Sequence, residues 1–506
     1  MDLNEAVSKK PVNLEEALRK CGFGMFNYIF ISLAGGLMAC AFLELTSINF
    51  VLSIAQCDLN MSTREKGFLS AIGYVGVILS SHLWGFLADT KGRRATLIPS
   101  LIIAFISTFM SSLANNFWLL LFLRFANGFF ISCASSTTFA YLGEFHDNNK
   151  RAKVLMIASI IYSIFNVLLP TFAIVTLNQD WSFYVPLIAV TYKPWRLFLL
   201  ICGLPSLLCA LVMIVLIPES PKFAYSQGDE PETLKILRRI YRLNYRKSIL
   251  LYEVKSIVKD DEFNSRVQAR PKGFLNFMWS QSLPFLKGHH LRNIMTASFI
   301  QFSVCNAANG FWTFFPEFMN NISTWKESSR DSATICEIYN TLSVHNNQTE
   351  NVLKCKQNHE LSTYAHIYEV VIIYGICYLI MSLLINWTGK LYLIIAIVLP
   401  AGISALLLIF IKVPTFSTYL YLVLLLSGLT ISVVNASTVE LFPTKMRAMA
   451  VSISMMMGRL GSTTGSMVIG LVIDKHCSKT FLMPMFLLII SCLLAFTIPN
   501  INKRRN

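Results

Sequence analysis

Long apolar runs separated by short polar segments make up most of the chain. Six runs precede a polar stretch at 218–292 and six follow it. Each is long enough to cross about 30 Å of hydrocarbon as a helix rising 1.5 Å per residue. A backbone in lipid must satisfy its own hydrogen bonds, and the runs lack the strict alternation of barrel strands, so helices are favoured. The runs lie at about 26–51, 67–88, 96–114, 117–142, 154–178, 196–217, 293–318, 364–386, 391–411, 418–440, 448–473 and 480–499.

This pattern predicts an all-α polytopic membrane protein with twelve transmembrane helices in two six-helix bundles. Basic residues collect in alternate connections, for example Lys91, Arg93 and Arg94 after the second run. The positive-inside rule therefore places both termini in the cytoplasm. The predicted parts are an N-terminal segment 1–25, a first bundle 26–217, a cytoplasmic loop 218–292, a second bundle 293–499 containing an outer loop 319–363, and a basic tail 500–506.

Composition agrees with a membrane protein and excludes several other classes. Hydrophobic residues make up 54% of the 506 residues and charged residues only 14%, whereas soluble domains carry about 25% charged residues. The net charge of +15 is explained by basic loops, because no nucleic-acid-binding module is visible. The chain shows no catalytic motif, no phosphate-binding loop and no metal-ligand spacing. We therefore expect neither an enzyme nor an ATP-driven pump, with no cofactor, no metal and no nucleic-acid partner.

The 218–292 segment contains a basic amphipathic helix. Leu234, Leu237, Ile240 and Leu243 recur at helical spacing among lysines and arginines. Such a helix can lie on anionic lipid, cap the cytoplasmic ends of the bundle, or be a solvated loop helix with one apolar stripe. The sequence leaves these alternatives open.

The outer loop 319–363 has features of a non-cytoplasmic segment. Asn321 and Asn347 each begin a glycosylation sequon. Cys336 and Cys355 lie in the same loop, in a compartment that permits disulfides. The two cysteines either form a bridge or remain free thiols.

One connection carries a specific motif. The segment Gly85-Phe86-Leu87-Ala88-Asp89-Thr90-Lys91-Gly92-Arg93-Arg94 joins the second and third helices. Further motifs are Arg124-Phe125-Ala126-Asn127-Gly128, Pro218-Glu219-Ser220-Pro221-Lys222, Glu440-Leu441-Phe442-Pro443-Thr444 with Arg447, and the pair Glu144 and Arg151. The corresponding connection after the eighth helix is reduced to Thr388-Gly389-Lys390.

These motifs resemble the major facilitator superfamily, with pieces similar to its sugar-porter branch. Gly22-Phe23-Gly24-Met25-Phe26-Asn27 and the long outer loop resemble the synaptic-vesicle-glycoprotein-2-like branch and its organic-ion-transporter relatives. The resemblance covers nearly the whole chain. It implies two pseudo-symmetric six-helix bundles, a central cavity and alternating access, without fixing the substrate.

The same resemblance suggests two sets of site residues. The branch typically has an acidic residue at the position aligned with Ala41, and Glu44 lies three residues further on the same helix face. Proton or cation coupling would then depend on Glu44 in place of an acidic residue at 41. The candidates for lining a substrate cavity are Glu44, Asn166, Gln301, Asn306, Asn309, Trp312 and Asn435, each asparagine being equally explained by an interhelical hydrogen bond. The candidates for inner-gate charges are Asp89, Arg93, Arg94, Arg124, Glu144, Arg151, Glu440 and Arg447.

Two functions fit these features. The first is a secondary transporter or uniporter of a small organic solute. Organic ions belong to the solutes considered. The second is a non-transporting membrane receptor, scaffold or vesicle component that keeps the fold. We expect a multi-pass monomer in the plasma membrane or a vesicle membrane, with the lipid bilayer and a small organic solute as its partners.

Overall fold

The structure is a computed structural model, and nearly every described segment is helical. It describes residues 12–59, 61–186, 190–246, 251–258, 288–327, 332–348, 361–442 and 447–497. A short antiparallel hairpin is one exception, in which Phe183–Val185 (β1) pairs with Val190–Tyr192 (β2). Residues 251–258 are another, and Ile257 there forms an isolated parallel bridge with Val12. The sequence did not predict this hairpin. It lies in the connection before the sixth apolar run.

The first six apolar runs form seven helices that pack on one another, which we call the first half. The fifth run is divided because Pro170 lacks a backbone N–H and disturbs the helix before it. The helices are α2 (Met25–Leu59), α3 (Thr63–Lys91), α4 (Arg93–Ser112), α5 (Phe117–Glu144), α6 (Asn148–Phe165), α7 (Leu168–Leu177) and α8 (Pro194–Leu216). A short helix, α1 (Leu14–Lys20), precedes them.

The remaining runs form the second half. The tenth run is divided by a 3₁₀ turn at Leu426–Leu429. The eleventh and twelfth runs are one continuous element broken only at His476, which has φ −144° and ψ 63°. The helices are α11 (Gly288–Glu327), α12 (Ile335–Gln348), α13 (Leu361–Thr388), α14 (Lys390–Phe410), α15 (Pro414–Leu425), α16 (Thr430–Leu441) and α17 (Arg447–Ala495).

The twelve apolar runs all coincide with helices, so the predicted fold class is confirmed. Within the described residues, ten helical segments are long and apolar enough to cross a membrane. The seventh and eighth runs lie in α11 and α13. The helix α11 extends to Glu327 and so carries polar residues beyond the predicted run.

Glycines allow helices to pack backbone against backbone in each half. A Cβ atom on Gly128 of α5 would lie 2.1 Å from the carbonyl oxygen of Gly73 in α3. In the second half, a Cβ on Gly461 of α17 would lie 2.1 Å from the carbonyl oxygen of Phe302 in α11. In lipid no hydrophobic effect drives helices together, so they associate mainly through close packing at small residues such as these glycines.

We call the end of the bundle that carries the α3–α4 connection the motif end, and the other the opposite end. Two helices, α9 (Pro221–Ser226) and α10 (Glu230–Tyr245), cover the first half at the motif end. The side chains of Leu234, Leu237 and Ile240 are buried there, and Arg239 donates to the carbonyl oxygens of Val215 and Leu216 at the end of α8. Of the three interpretations of the amphipathic helix, the structure therefore shows the one in which it caps the bundle.

Neither alternative considered for Cys336, a bridge to Cys355 or a free thiol, is found in the structure. Cys336 in α12 is bonded to Cys477 in α17, with Cα atoms 5.6 Å apart. The two residues are separated by 141 positions, and the break at His476 allows α17 to approach α12. Cys355 lies outside the described residues. Proximity along the loop was therefore a poor guide to proximity in space.

The two sequons also lie on helices. Asn321 is half-buried in the last turns of α11, whereas it was expected in the outer loop. Asn347 lies at the end of α12, and its side chain is outside the described residues. Glycosylation at either asparagine stays a prediction.

Candidate functional site

A charge cluster forms at the motif end, centred on Arg93. Its Nη2 atom lies 2.6 Å from Asp89 Oδ1 and 3.0 Å from Glu144 Oε1. Its Nη1 atom donates to the carbonyl oxygen of Ala88 at 2.6 Å. The cluster ties α3, α4 and α5 together. Asp89 is half-exposed, so its own pair with Arg93 contributes little, about 0–1 kcal/mol.

Glu219 completes this cluster, and the sequence analysis did not single it out. Its carboxylate accepts hydrogen bonds from the backbone N–H groups of Arg93 at 2.9 Å and Arg94 at 3.1 Å. These groups begin α4 and have no intrahelical partner, and an anion there also interacts favourably with the helix dipole. Gly92 has φ +104°, and a Cβ on it would lie 2.5 Å from Glu219 Oε2. The glycine of the motif is therefore required both by the backbone conformation and by the space that Glu219 occupies.

The other predicted inner-gate charges are more scattered. Arg94 donates to the carbonyl oxygen of Ile214 at 2.8 Å. Arg151 is exposed, and its guanidinium lies over Gly143. The side chains of Glu440 and Arg447 lie outside the described residues, so their role stays a prediction.

Arg124 does not belong to the motif-end cluster, and its assignment to the inner gate is wrong. It lies twenty residues before Glu144 on α5, which is roughly 30 Å at 1.5 Å per residue. Because α5 runs towards the motif end, Arg124 is near the opposite end. It is buried, and its Nη1 atom donates to the backbone carbonyl oxygen of Glu44 at 3.4 Å.

Glu44 lies inside the first half rather than between the halves. Its side chain is only 1% exposed. Thr108 of α4 donates to its carboxylate at 2.5 Å, and Asn127 of α5 and Ser206 of α8 also donate to it. The carboxylate thus connects four helices of one bundle. This arrangement matches an interhelical structural role, and in this conformation Glu44 does not line a space between the halves.

The candidates on α11 lie against α17 of the same half. Asn306 donates to Thr464 at 3.2 Å, and Asn309 donates to Ser462 at 2.9 Å. Gln301 is buried against Gly458, whose Cβ position is 2.8 Å from Gln301 Cγ. Trp312 is half-buried and stacks on Phe315. Gln301 and Asn306 therefore join two helices, whereas Asn309 and Trp312 keep some exposed surface.

Polar residues of the two halves meet at one depth in the bundle. Tyr162 of α6 lies near Tyr378 of α13, and Asn166 is hydrogen-bonded to Tyr162. Asn435 of α16 is half-buried. Five half-buried residues, which we call the midplane layer, lie nine or ten residues from the motif-end limits of their spans: His82, Ser135, Tyr162, Tyr378 and Arg459. Nine residues of helix correspond to roughly 14 Å, near the middle of a ~30 Å hydrocarbon core.

The cavity candidates chosen from the sequence include no member of the midplane layer, and Arg459 is its most informative member. It projects from α17 to the other half, where its Nη2 atom donates to Ser135 Oγ of α5 at 3.3 Å. Its charge also acts on His82 of α3 and on Cys305 of α11. The signal was visible, because an arginine inside an apolar run is costly in lipid and so marks a functional position.

The halves are also joined at the opposite end. Lys66 of α3, with its side chain 3% exposed, forms an ion pair with Glu317 of α11 at 3.0 Å. A Cβ on Gly67 would lie 3.1 Å from the Cα atom of Gly470 in α17. Further contacts come from the hydroxyl groups of Thr171 in α7 and Tyr368 in α13, which are 2.8 Å apart. The opposite end is therefore closed by contacts between the halves.

Two bundles with a polar layer at mid-depth and a closed end define a polytopic membrane protein of the transporter type. The family model of the Major Facilitator Superfamily matches residues 34–344, more than half of the chain, and the chain belongs to that family. This membership confirms the predicted class and agrees with the expectation that the chain is not an enzyme.

Within the family, the chain is similar to the synaptic vesicle glycoproteins 2. It is 26% identical to human synaptic vesicle glycoprotein 2A over 333 residues, which are 62% of this chain and 45% of that protein. It is 29% identical to human synaptic vesicle glycoprotein 2C over 233 residues, 46% of this chain and 32% of that protein. The match thus spans less than half of the length of these relatives.

Solved transporters share the fold. The xylose transporter XylE from E. coli, in a partially occluded inward-open conformation, superposes with a TM-score of 0.63 at 16% identity, covering 94% of this chain and 99% of that one. The nucleoside transporter NupG superposes with a TM-score of 0.61 at 12% identity, covering 94% and 99%. At such identities the likeness shows the fold alone.

Proposed function

We propose that the chain is a secondary transporter that moves a small organic solute by alternating access. The observation that carries this proposal is the pairing of a closed opposite end with a half-buried polar layer between the halves at mid-depth. A transporter needs a solute site near the bilayer midplane that opens to one side at a time. Because contacts between the halves close the opposite end, we infer that the solute reaches the midplane layer from the motif end.

The charge distribution supports a cytoplasmic motif end. Lys91, Arg93 and Arg94 lie there, and the positive-inside rule favours the cytoplasm for such a connection. The described conformation is then inward-facing. In this orientation the two proposed bundles, 26–217 and 293–499, are joined by a cytoplasmic segment. Glycans on Asn321 or Asn347 would lie on the non-cytoplasmic side.

The test uses a reversible cross-link that holds the two halves together at the opposite end. The double variant Lys66→Cys/Glu317→Cys is purified, reconstituted in liposomes and treated with a short bifunctional methanethiosulfonate reagent that a reductant cleaves. We expect at least one solute from a mixed metabolite pool to accumulate in the liposomes, to stop accumulating after cross-linking, and to resume after reduction. The two single-cysteine variants, treated identically, control for reduction of the natural disulfide.

Absence of any accumulation in sealed liposomes containing folded protein would contradict the transport proposal and favour a receptor or scaffold. Accumulation that continues after cross-linking would contradict alternating access through the opposite end.

A further inference from the structure

We propose that Arg459 binds the negatively charged group of a small organic anion, with Ser135 as its partner from the other half. This inference rests on the proposed transport function and names the class of its solute.

Arg459 carries a positive charge that no carboxylate in the described residues neutralises. A guanidinium keeps its proton in proteins, so this side chain brings a positive charge to the middle of the membrane. Among the described residues no carboxylate forms an ion pair with it. Its hydrogen-bond acceptor is the neutral hydroxyl of Ser135. An intramembrane arginine ordinarily finds a counter-charge or a water-filled cavity.

Lys66 and Arg124, two buried cations, differ from Arg459 in their surroundings. Lys66 is paired with Glu317, and Arg124 lies beside Glu44. Each of these cations has a carboxylate close by, whereas Arg459 has hydroxyl, imidazole and thiol groups. An anionic solute would supply the missing charge.

The other residues of the midplane layer supply neutral hydrogen-bond donors and apolar ring faces. Ser135, His82, Tyr162 and Tyr378 are neutral at ordinary pH and can each donate a hydrogen bond. The tyrosine rings also offer apolar faces to the body of a solute. The guanidinium fork fits the two oxygens of a carboxylate or sulfonate. The layer therefore fits an organic anion with an aromatic or apolar body better than a cation or a neutral sugar.

The position of Arg459 also suits alternating access. The residue belongs to the second half and its partner Ser135 to the first. An anion placed between them would bridge the halves, and its binding would differ between the two conformations as the distance across the layer changes. A solute can shift the equilibrium between the two conformations only if it binds one of them more tightly than the other.

The test uses three probes that share a phenyl ring and differ in charge. They are benzenesulfonate, neutral benzenesulfonamide and the cation phenyltrimethylammonium. Each is titrated at constant ionic strength against the full-length protein in detergent, and ligand-dependent thermal stabilisation reports binding without requiring transport. We expect benzenesulfonate to stabilise the protein and the other two probes to have no effect.

Variants assign the effect to Arg459. Loss of a charge-assisted hydrogen bond weakens binding about 10- to 100-fold, so Arg459→Gln should weaken benzenesulfonate binding by that factor. Arg459→Lys should retain part of the affinity, because it keeps the charge and loses the fork. Ser135→Ala should weaken binding about threefold, the effect of one modest hydrogen bond. Lys479→Gln, at an exposed cation of the same helix α17, should change nothing.

Equal binding of the three probes, unchanged affinity in Arg459→Gln, or no stabilisation by benzenesulfonate at about 10 mM, ten times the upper end of ordinary KM values, would each overturn the proposal. Failure of transport alone is distinguishable. A protein that binds benzenesulfonate through Arg459 but does not carry it into liposomes contradicts the transport proposal only. Uptake of another solute that is unaffected in Arg459→Gln contradicts the anion site only.

Discussion

In the first half, Glu44 and Arg124 are buried within one bundle, and the carboxylate receives hydrogen bonds from three neighbouring helices. In the second half, Arg459 is half-buried at the boundary between bundles and contacts one hydroxyl of the other half. The difference separates two uses of charge in a membrane. The first arrangement stabilises a bundle, whereas the second leaves a charge free to act on a solute.

The largest expected effect comes from breaking the buried cluster of the first half. Glu44→Leu removes a carboxylate that accepts three side-chain hydrogen bonds and leaves Arg124 without a nearby negative charge. Each buried donor left without its acceptor costs about 1–3 kcal/mol, so the apparent unfolding temperature in detergent should fall strongly. The double variant Glu44→Leu/Arg124→Leu should recover part of the loss. Arg459→Gln is the matched comparison, and we expect it to change stability by about 1 kcal/mol, the net contribution of its one hydrogen bond to Ser135.

The comparison between the halves fails if Arg459→Gln destabilises the protein as much as Glu44→Leu does. Arg459 would then be a structural residue. It also fails if Glu44→Leu unfolds at the wild-type temperature, because the buried cluster would then not hold the bundle together.

Much of this contrast was hidden from the sequence. Glu44 could be placed on a helix and expected to face a bundle interior, but its partners Thr108, Asn127 and Ser206 come from three other runs. Their convergence depends on how the helices rotate in the packed bundle. Arg124 was grouped with the inner-gate charges because it belongs to a family motif. Counting the helical rise from the start of α5 would have placed it near the opposite end.

The helices themselves were readily predicted, because each apolar run must form a helix in lipid. The motif at Gly85–Arg94 likewise located the turn that Glu219 stabilises. The Cys336–Cys477 bond could not be predicted from spacing, since it joins two segments 141 residues apart. Arg459 could have been found from the sequence alone, as an arginine within the run 448–473.

A smaller effect is expected at the ion pair shared by the two halves. In Glu317→Gln, Lys66 keeps its charge and loses its partner, so the closed opposite end is weakened. We expect the conformation open at that end to become about fivefold more populated or more, which corresponds to ~1 kcal/mol. A cysteine replacing the buried Ser70 on α3 should then react faster with a membrane-impermeant thiol reagent.

The control is Glu369→Gln, which removes an exposed carboxylate on α13 that pairs with His366 within its own helix. The double variant Lys66→Gln/Glu317→Gln should react at a rate between those of wild type and Glu317→Gln, because no unpaired charge is left. An unchanged labelling rate in Glu317→Gln would show that the glycine contacts close the end without the ion pair.

The smallest expected effect concerns His146, a titratable group that the first half holds neutral at the motif end. Burial lowers the pKa of this histidine, and Lys150 and Lys222 act in the same direction, while Asp147 and the bond to the carbonyl oxygen of Leu142 oppose them. Asn27 Nδ2 donates to His146 Nε2 at 2.8 Å. Protonation of Nε2 would remove that acceptor.

The direction of the pH effect follows from the lowered pKa. The unfolded chain takes up the proton first, near the ordinary histidine pKa of ~6.5, so the contribution of His146 to stability is present above that pH. It falls as the pH drops below about 6.5 towards the pKa of the folded state. We expect the loss to reach about 1 kcal/mol, the net contribution of one buried hydrogen bond.

The apparent unfolding temperature of wild type and His146→Gln should therefore be compared between about pH 7.5 and about pH 5.5, around the ordinary histidine pKa. Glutamine can still accept a hydrogen bond from Asn27 but does not titrate, so its curve should be flatter by this amount. Parallel curves for wild type and His146→Gln would mean that the folded protein does not hold His146 neutral. The first half would then hold Glu44 in fixed hydrogen bonds but would not control the protonation of His146.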